Sequence, residues 1–331
     1  MRRTLVLHIA MQYKSATQPG CHENRAARYP KNQAMKYFKL TALLILLSGA
    51  VNAQDTLDID KMLDEEMNKK KSEVSEFAEA TFKSSRIING HSIENTQRGV
   101  MDFRIAHRFG TLNRGFYELF GLDNASMRMS FDFGLTDRLM VGVGRSTFEK
   151  QYDAFFKYRI LRQRENGKMP VSLSLMASTM LRTLKYTDNI DRNFSDKLQY
   201  AYQLILARKF SSDFSLQLMP TLVHYNLVPK ANDPNDLISL GVGGRLKISQ
   251  RVSVNAEYYY QLPDHKLPGT YNSLSVGFDI ETGGHVFQLH FTNSTGMTER
   301  TFITETTGQW GQGDIHFGFN ISRVFQLSKR R

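Results

Sequence analysis

Residues 252–262 read VSVNAEYYYQL. Successive side chains of an extended strand point to opposite faces. Val252, Val254, Ala256, Tyr258 and Tyr260 therefore share one face, and Ser253, Asn255, Glu257 and Tyr259 the other. In a soluble sandwich the apolar face would enter a core. In a membrane barrel that face meets lipid, and the polar face lines a lumen.

The pattern recurs along the chain. Alternating segments separated by turn residues predict twelve strands, at about 100–110, 125–134, 138–146, 151–161, 171–181, 198–210, 213–224, 237–248, 251–262, 271–280, 285–293 and 313–325. In the eleventh, Phe287, Leu289 and Phe291 oppose Gln288, His290 and Thr292. Tight turns follow the second, sixth, eighth and tenth strands, whereas longer connections such as 182–197 and 294–312 follow the odd-numbered ones. Short turns on one rim and long loops on the other belong to an antiparallel up-and-down barrel of the outer-membrane type. Two connections fit this less well: 162–170 is long for the short side, and 147–150 is short for the long side.

Strand length separates the two architectures. A tilted membrane strand needs about 9–11 residues and a typical globular strand about 5–6, and most of these segments reach the longer figure. Aromatic pairs near predicted strand ends, Phe116-Tyr117, Phe155-Phe156 and Tyr258 to Tyr260, sit where interfacial girdles belong. The fold class is thus all-β: a transmembrane antiparallel barrel of about twelve strands over 100–325, preceded by a short helical segment. Val252 to Tyr260 would face lipid, and Glu257 the lumen.

Upstream, MKYFKLTALLILLSGAVNAQ (35–54) has the layout of a secretory signal peptide. It has Lys36 and Lys39, an apolar stretch from Leu40 to Ala50, and a small-residue cleavage site that places the cut between Ala53 and Gln54. A signal peptide at 35–53 leaves residues 1–34 as an extension from a start codon placed too early. Of the formal charge of +11, residues 1–34 contribute a net +5 and the signal +2, which leaves +4 for 54–331. That ordinary balance argues against a polyanion partner such as nucleic acid. Cys21 is the one cysteine and lies in the extension, so disulfides, thiolate metal sites and cysteine nucleophiles drop out of the mature chain. Residues 54–99 are expected as a periplasmic helix or linker. The stretch 81–90 would be an extra strand or a segment tucked into the barrel mouth, and 54–99 as a whole is a possible plug. Residues 326–331 form a basic tail.

The stretches FRIAHRFGTLNRGFYELFGLDNAS (103–126), GLTDRLMVGVGRS (134–146), LQLMPTLVHYNLVP (216–229), FDIETGGHVFQLHFTNS (278–294) and FITETTGQWGQGDIHFGFNISRVF (302–325) resemble a family of uncharacterised β-barrel proteins. That family is a domain of unknown function found in outer membranes of Bacteroidota-type bacteria. The resemblance covers roughly 80–325. It implies the barrel fold and an outer-membrane location, and it supplies no catalytic residue.

Strand parity puts Arg104, Arg108, Arg128, Asp132, Lys157, Arg159, Arg245, Lys247, Glu257, His290 and His316 on the lumen face. These could form a selectivity zone, in which the excess of cations favours anions. They could equally be a structural network, because buried charges must be paired. Gly142, Gly144, Gly241 and Gly243 face inward and would make room for bulky neighbours. His290, Thr292, Asn293 and Ser294 are the one cluster that tempts a hydrolase assignment. Asp188, Asp191, Asp196, Asn232, Asp233, Asn235 and Asp236 serve as turn formers more readily than as cation ligands. No metal, cofactor or catalytic residue is expected.

The leading expectation is therefore a narrow outer-membrane pore or transport protein for small polar solutes, leaning to anions. A non-conducting barrel that binds a partner is the alternative, and an outer-membrane hydrolase stands third. Lipid is the one sure partner, and the oligomeric state is left open.

Overall fold

The computed structural model describes residues 77–165, 167–185 and 192–327. The extension, the signal region with Ala53 and Gln54, most of the expected helical segment, Asp188, Asp191 and the end of the tail lie outside the described residues.

Twelve strands form one closed barrel in sequence order. They are β1 (Val100–Thr111), β2 (Ala125–Gly134), β3 (Leu139–Ser146), β4 (Tyr152–Leu161), β5 (Ser172–Leu181), β6 (Leu198–Lys209), β7 (Phe214–Tyr225), β8 (Asp236–Lys247), β9 (Val252–Gln261), β10 (Ser273–Thr282), β11 (His285–Thr292) and β12 (His316–Gln326). Every neighbouring pair is antiparallel, and β1 closes the ring on β12, with Arg104 opposite Ser322 and Ile105 opposite Ile321. That ladder slips between Arg108 and Thr111, next to the long-loop rim.

The faces sort by parity. On β9, Ser253, Asn255, Glu257, Tyr259 and Gln261 are buried while Ala256, Tyr258 and Tyr260 are exposed. All around the wall large apolar side chains point outward, among them Phe131, Phe156, Tyr202, Leu218, Leu240, Phe278 and Phe291, each 40% or more exposed. Fully burying one such side chain is worth about 1.5–3 kcal/mol, so holding this belt in water would cost tens of kcal/mol. Closure also leaves no unpaired strand edge, the condition for crossing a bilayer with strands. Among the described residues no helix is long and apolar enough to cross a membrane, which says nothing about strands.

The aromatic pairs divide. Tyr258 and Phe156 face outward, whereas Tyr259 and Phe155 are buried in the lumen. Phe116 and Tyr117 lie in the β1–β2 loop beyond the strand end, 80% and 94% exposed.

The two irregular connections have structural uses. The long one after β4 receives the incoming chain: Ala78 N–H donates to Gln163 O at 2.9 Å, and Phe77 lies beneath the guanidinium groups of Arg162 and Arg164. The short one after β3 is a tight turn in which Glu149 and Lys150 take left-handed backbone angles, φ 53° and 50°. That turn directs the Glu149 carboxylate to Arg182 and Arg300.

Candidate functional site

The lumen is filled. Residues 77–99 enter at the short-turn rim beside β4 and rise between the strands. They fold back in a hairpin closed by the Arg86–His91 bridge, then descend to Gly134 before β1 begins. The segment runs inside the barrel rather than adding a further strand or resting at the mouth, and side chains of the wall satisfy its backbone.

Lys157 Nζ donates to Ser92 O at 3.1 Å and Glu94 O at 2.5 Å. Arg245 Nη1 reaches Ala80 O at 2.7 Å, Gln217 Nε2 reaches His91 O at 2.7 Å, and Gln288 Nε2 and Asn320 Nδ2 reach Ile87 O and Ile88 O. At the hairpin tip, the Glu257 carboxylate accepts the N–H groups of Ile88, Asn89 and Gly90 at 3.3, 2.8 and 3.0 Å. An irregular segment buried in a barrel leaves its N–H and C=O groups without ladder partners, and these side chains supply them.

From the opposite rim the β11–β12 loop, one of the longer connections, also turns inward. Its buried turn of π-helix, Arg300–Thr304, sets the Phe302 ring 5.1 Å from that of Tyr259 in an edge-on contact. Phe302 and Ile303 join Phe82, Ile87, Ile88 and Ile93 of the hairpin, with Met140, Phe155, Met176, Ile205 and Met219 of the wall, in one apolar cluster across the lumen. The two inserts also meet through charge: Arg86 Nη1 lies 3.0 Å from Glu299 Oε1. Arg300, 2% exposed, pairs with Glu149 and with Glu305, the latter at 2.8 Å, and those carboxylates hold its pKa above the ordinary arginine value against the cost of burial.

The inward glycines make space for this filling. A Cβ on Gly243 would lie 2.3 Å from Ile87 Cδ1, and one on Gly142 2.3 Å from Phe155 Cε1.

The structure places the expected lumen residues as follows. Arg104, Arg108, Arg128, Asp132, Lys157, Arg245, Glu257, His290 and His316 are buried, from 0% to 7% exposed. Arg159 is half-buried, 3.9 Å from Glu94, and Lys247 is half-buried at the short-turn end of β8. They do not form one zone. Arg104 pairs with Asp102 at 3.1 Å and Arg128 with Asp153 at 2.5 Å, while Lys157, Arg245 and Glu257 hold the hairpin. The inward acids Asp102, Asp153 and Asp279 remove more than half of the cationic excess read from the sequence, while Glu299 is paired with Arg86. The same parity rule would have found the three aspartates. Glu299 lies outside any strand and had no such signal.

The hydrolase cluster is not assembled. The Thr292 hydroxyl accepts from Ser275 Oγ at 2.9 Å and from the Ser294 N–H at 3.2 Å, and Asn293 is occupied by Asn272 O and Gly308 O. No hydrogen bond joins His290 to any of these hydroxyls among the described residues. The loop acids act in turns: Asp196 accepts the Asn193 N–H and Asp233 the Lys230 N–H. Among the described residues no three histidine, cysteine or acidic side chains converge as metal ligands would. Trp310 is half-buried, its Nε1–H donated to Leu274 O at 3.0 Å.

Residues 82–325 match the family described as "Membrane bound beta barrel domain (DUF5777)". The chain belongs to this family. Membership of the membrane-bound barrel domain agrees with the apolar belt and the closed ladder, and accounts for most of the described residues. No curated protein matches the chain. Among solved structures it is similar to the NanC porin (9% identity, TM-score 0.42, covering 69% of this chain and 100% of that one). It is also similar to the KdgM porin (10%, 0.40, 68% and 99%) and to an outer membrane channel from Pseudomonas putida F1 (12%, 0.42, 70% and 97%).

Proposed function

We propose that this membrane-bound barrel resides in a bacterial outer membrane, reached through the signal at 35–53. It is shut in the conformation described and passes small polar solutes only when one of its two inserts is displaced. The observation that supports this most is the make-up of the filling. The inner wall is largely polar, as in a water-filled lumen, while the occupying segments lie outside the strand ladder and meet each other through the Arg86–Glu299 pair and the apolar cluster around Phe302. Moving either insert would leave the closed barrel intact.

The test is solute entry into proteoliposomes. Arabinose and gluconate should enter slowly with the unaltered protein and faster when residues 298–306 are replaced by a short Gly-Ser linker. Equal, slow entry for both proteins, with folding verified by circular dichroism, would refute the passage. A second reading, a non-conducting barrel, is favoured by the hydrogen bonds that fix the hairpin backbone to the wall. It predicts that equal, slow entry.

A further inference from the structure

Where β4 ends at the short-turn rim, a cleft of about 420 Å³ lies between the β2–β3 turn and the β4–β5 connection. Among the described residues four arginines line it, Arg138, Arg159, Arg162 and Arg164, with Asp137 as the one acid. Arg159 turns inward, to Ile93 O at 3.5 Å and to Glu94 at 3.9 Å. Arg138 and Arg162 differ. Neither guanidinium makes a hydrogen bond or lies within ion-pair distance of a carboxylate among the described residues. Asp137 is itself exposed and pairs with neither. Arg138 is exposed, and the half-buried Arg162 sits over the Phe77 ring, 4.8 Å from its centre. A guanidinium held over a ring is fixed in place and still keeps its N–H groups for an acceptor such as phosphate.

The rest of the cleft is apolar. Ile160, Leu161 and Met169 line it. Ile160, 41% exposed, continues the outward row of Phe156 and Tyr158 on β4. The lipid-facing belt therefore runs into the cleft, and two unpaired guanidinium groups stand at its end. A matching occupant offers an anion at one end and hydrocarbon at the other. Basic clefts at the membrane surface recognise lipid headgroups on this principle.

We propose that this cleft binds the headgroup of an anionic glycerophospholipid of the surrounding bilayer. The phosphate lies against Arg138 and Arg162, and one acyl chain runs along Ile160 and Tyr158. Free phosphate would meet the same arginines but leave the apolar wall unused. The site goes beyond the passage reading and stands without it. It includes Phe77, so a bound lipid would brace the point at which the lumen-filling segment enters.

The experiment is native mass spectrometry of the folded mature protein in detergent, titrated with dioleoylphosphatidylglycerol. Dioleoylphosphatidylcholine is the zwitterionic control. The first lipid adduct should saturate at about tenfold lower phosphatidylglycerol than phosphatidylcholine, as a charge-assisted contact to a second anionic group requires. The double variant Arg138→Gln, Arg162→Gln should lose that preference. Arg208→Gln, which removes an exposed arginine over Phe210 at the same rim, should keep it. Arg138→Gln alone, at an exposed turn position, should weaken it and serves if the double variant fails to fold. Equal saturation by the two lipids would overturn the proposal. So would a preference that survives in a folded cleft variant, or one that falls equally with Arg208→Gln. Displacement of the adduct by equimolar inorganic phosphate would make this a site for the free anion and overturn the lipid assignment.

Discussion

Arg86 Nη1 and Glu299 Oε1 lie 3.0 Å apart, each side chain 4% exposed, and this contact joins a hairpin that enters from one rim to a loop that enters from the other. Removing one member of a buried ion pair costs about 3–5 kcal/mol, because the partner charge is left uncompensated, whereas neutralising both costs far less. Arg86→Met and Glu299→Gln should therefore each lower stability by about 3 kcal/mol, and the double variant by less than either alone. Urea unfolding of the four proteins in one detergent measures the coupling.

His91 sits beside this pair, 3.6 Å from Glu299, and is 0% exposed. Burial first, then the charges of Arg86, Lys157, Arg128 and Arg104, depress its pKa well below the usual histidine value, so the approach to Glu299 is not an ion pair. The folded protein keeps His91 neutral while the unfolded chain takes up a proton as pH falls below its ordinary pKa, about 6.5. This residue thus lowers stability as pH falls from there, by at most about 1.4 kcal/mol per pH unit. Glu305, whose pKa burial raises, acts in the opposite sense. His91→Gln should flatten the loss of stability between about pH 6.5 and 5 relative to the unaltered protein, and unfolding midpoints across that range report the difference.

Glu257 accepts three backbone N–H groups at the hairpin tip. Hydrogen bonds to a charged group contribute about 1.5–3 kcal/mol, so Glu257→Gln should speed amide exchange at Ile88, Asn89 and Gly90 by about ten- to a hundredfold. The strand amides of β9 should keep their protection. Hydrogen–deuterium exchange resolves the two sets.

Gly243 faces Ile87 so closely that any side chain there collides with the hairpin. Gly243→Ala should destabilise by about 1–3 kcal/mol, the usual cost of overpacking. Ile87→Ala in the same chain should recover part of that loss. Limited proteolysis, with cleavage in 77–99 as the readout, shows whether the collision dislodges the hairpin.

The strand ladder was legible in the sequence because a two-residue period is a local signal: Val252 to Tyr260 and Phe287 to Phe291 declare their faces without reference to the rest of the chain. The inner wall was legible in part by the same parity, which reaches Asp102, Asp153 and Asp279 as well as the arginines. What fills the lumen was legible only as a possibility for 54–99, and not at all for 293–315. Residues 81–99 and 293–315 carry no period, since their backbone is held by side chains far away in sequence, such as Glu257, Lys157 and Asn320. The slipped ladder beside Arg108 was equally hidden, because a bulge is a property of two paired strands.

The most direct test of a lumen closed by its own chain is planar-bilayer conductance of the mature protein beside a variant that lacks residues 77–97. The mature protein should be silent or flicker rarely, and the variant should show sustained steps. Sustained openings by the unaltered protein would contradict the closed lumen, as would silence from a folded variant without its hairpin.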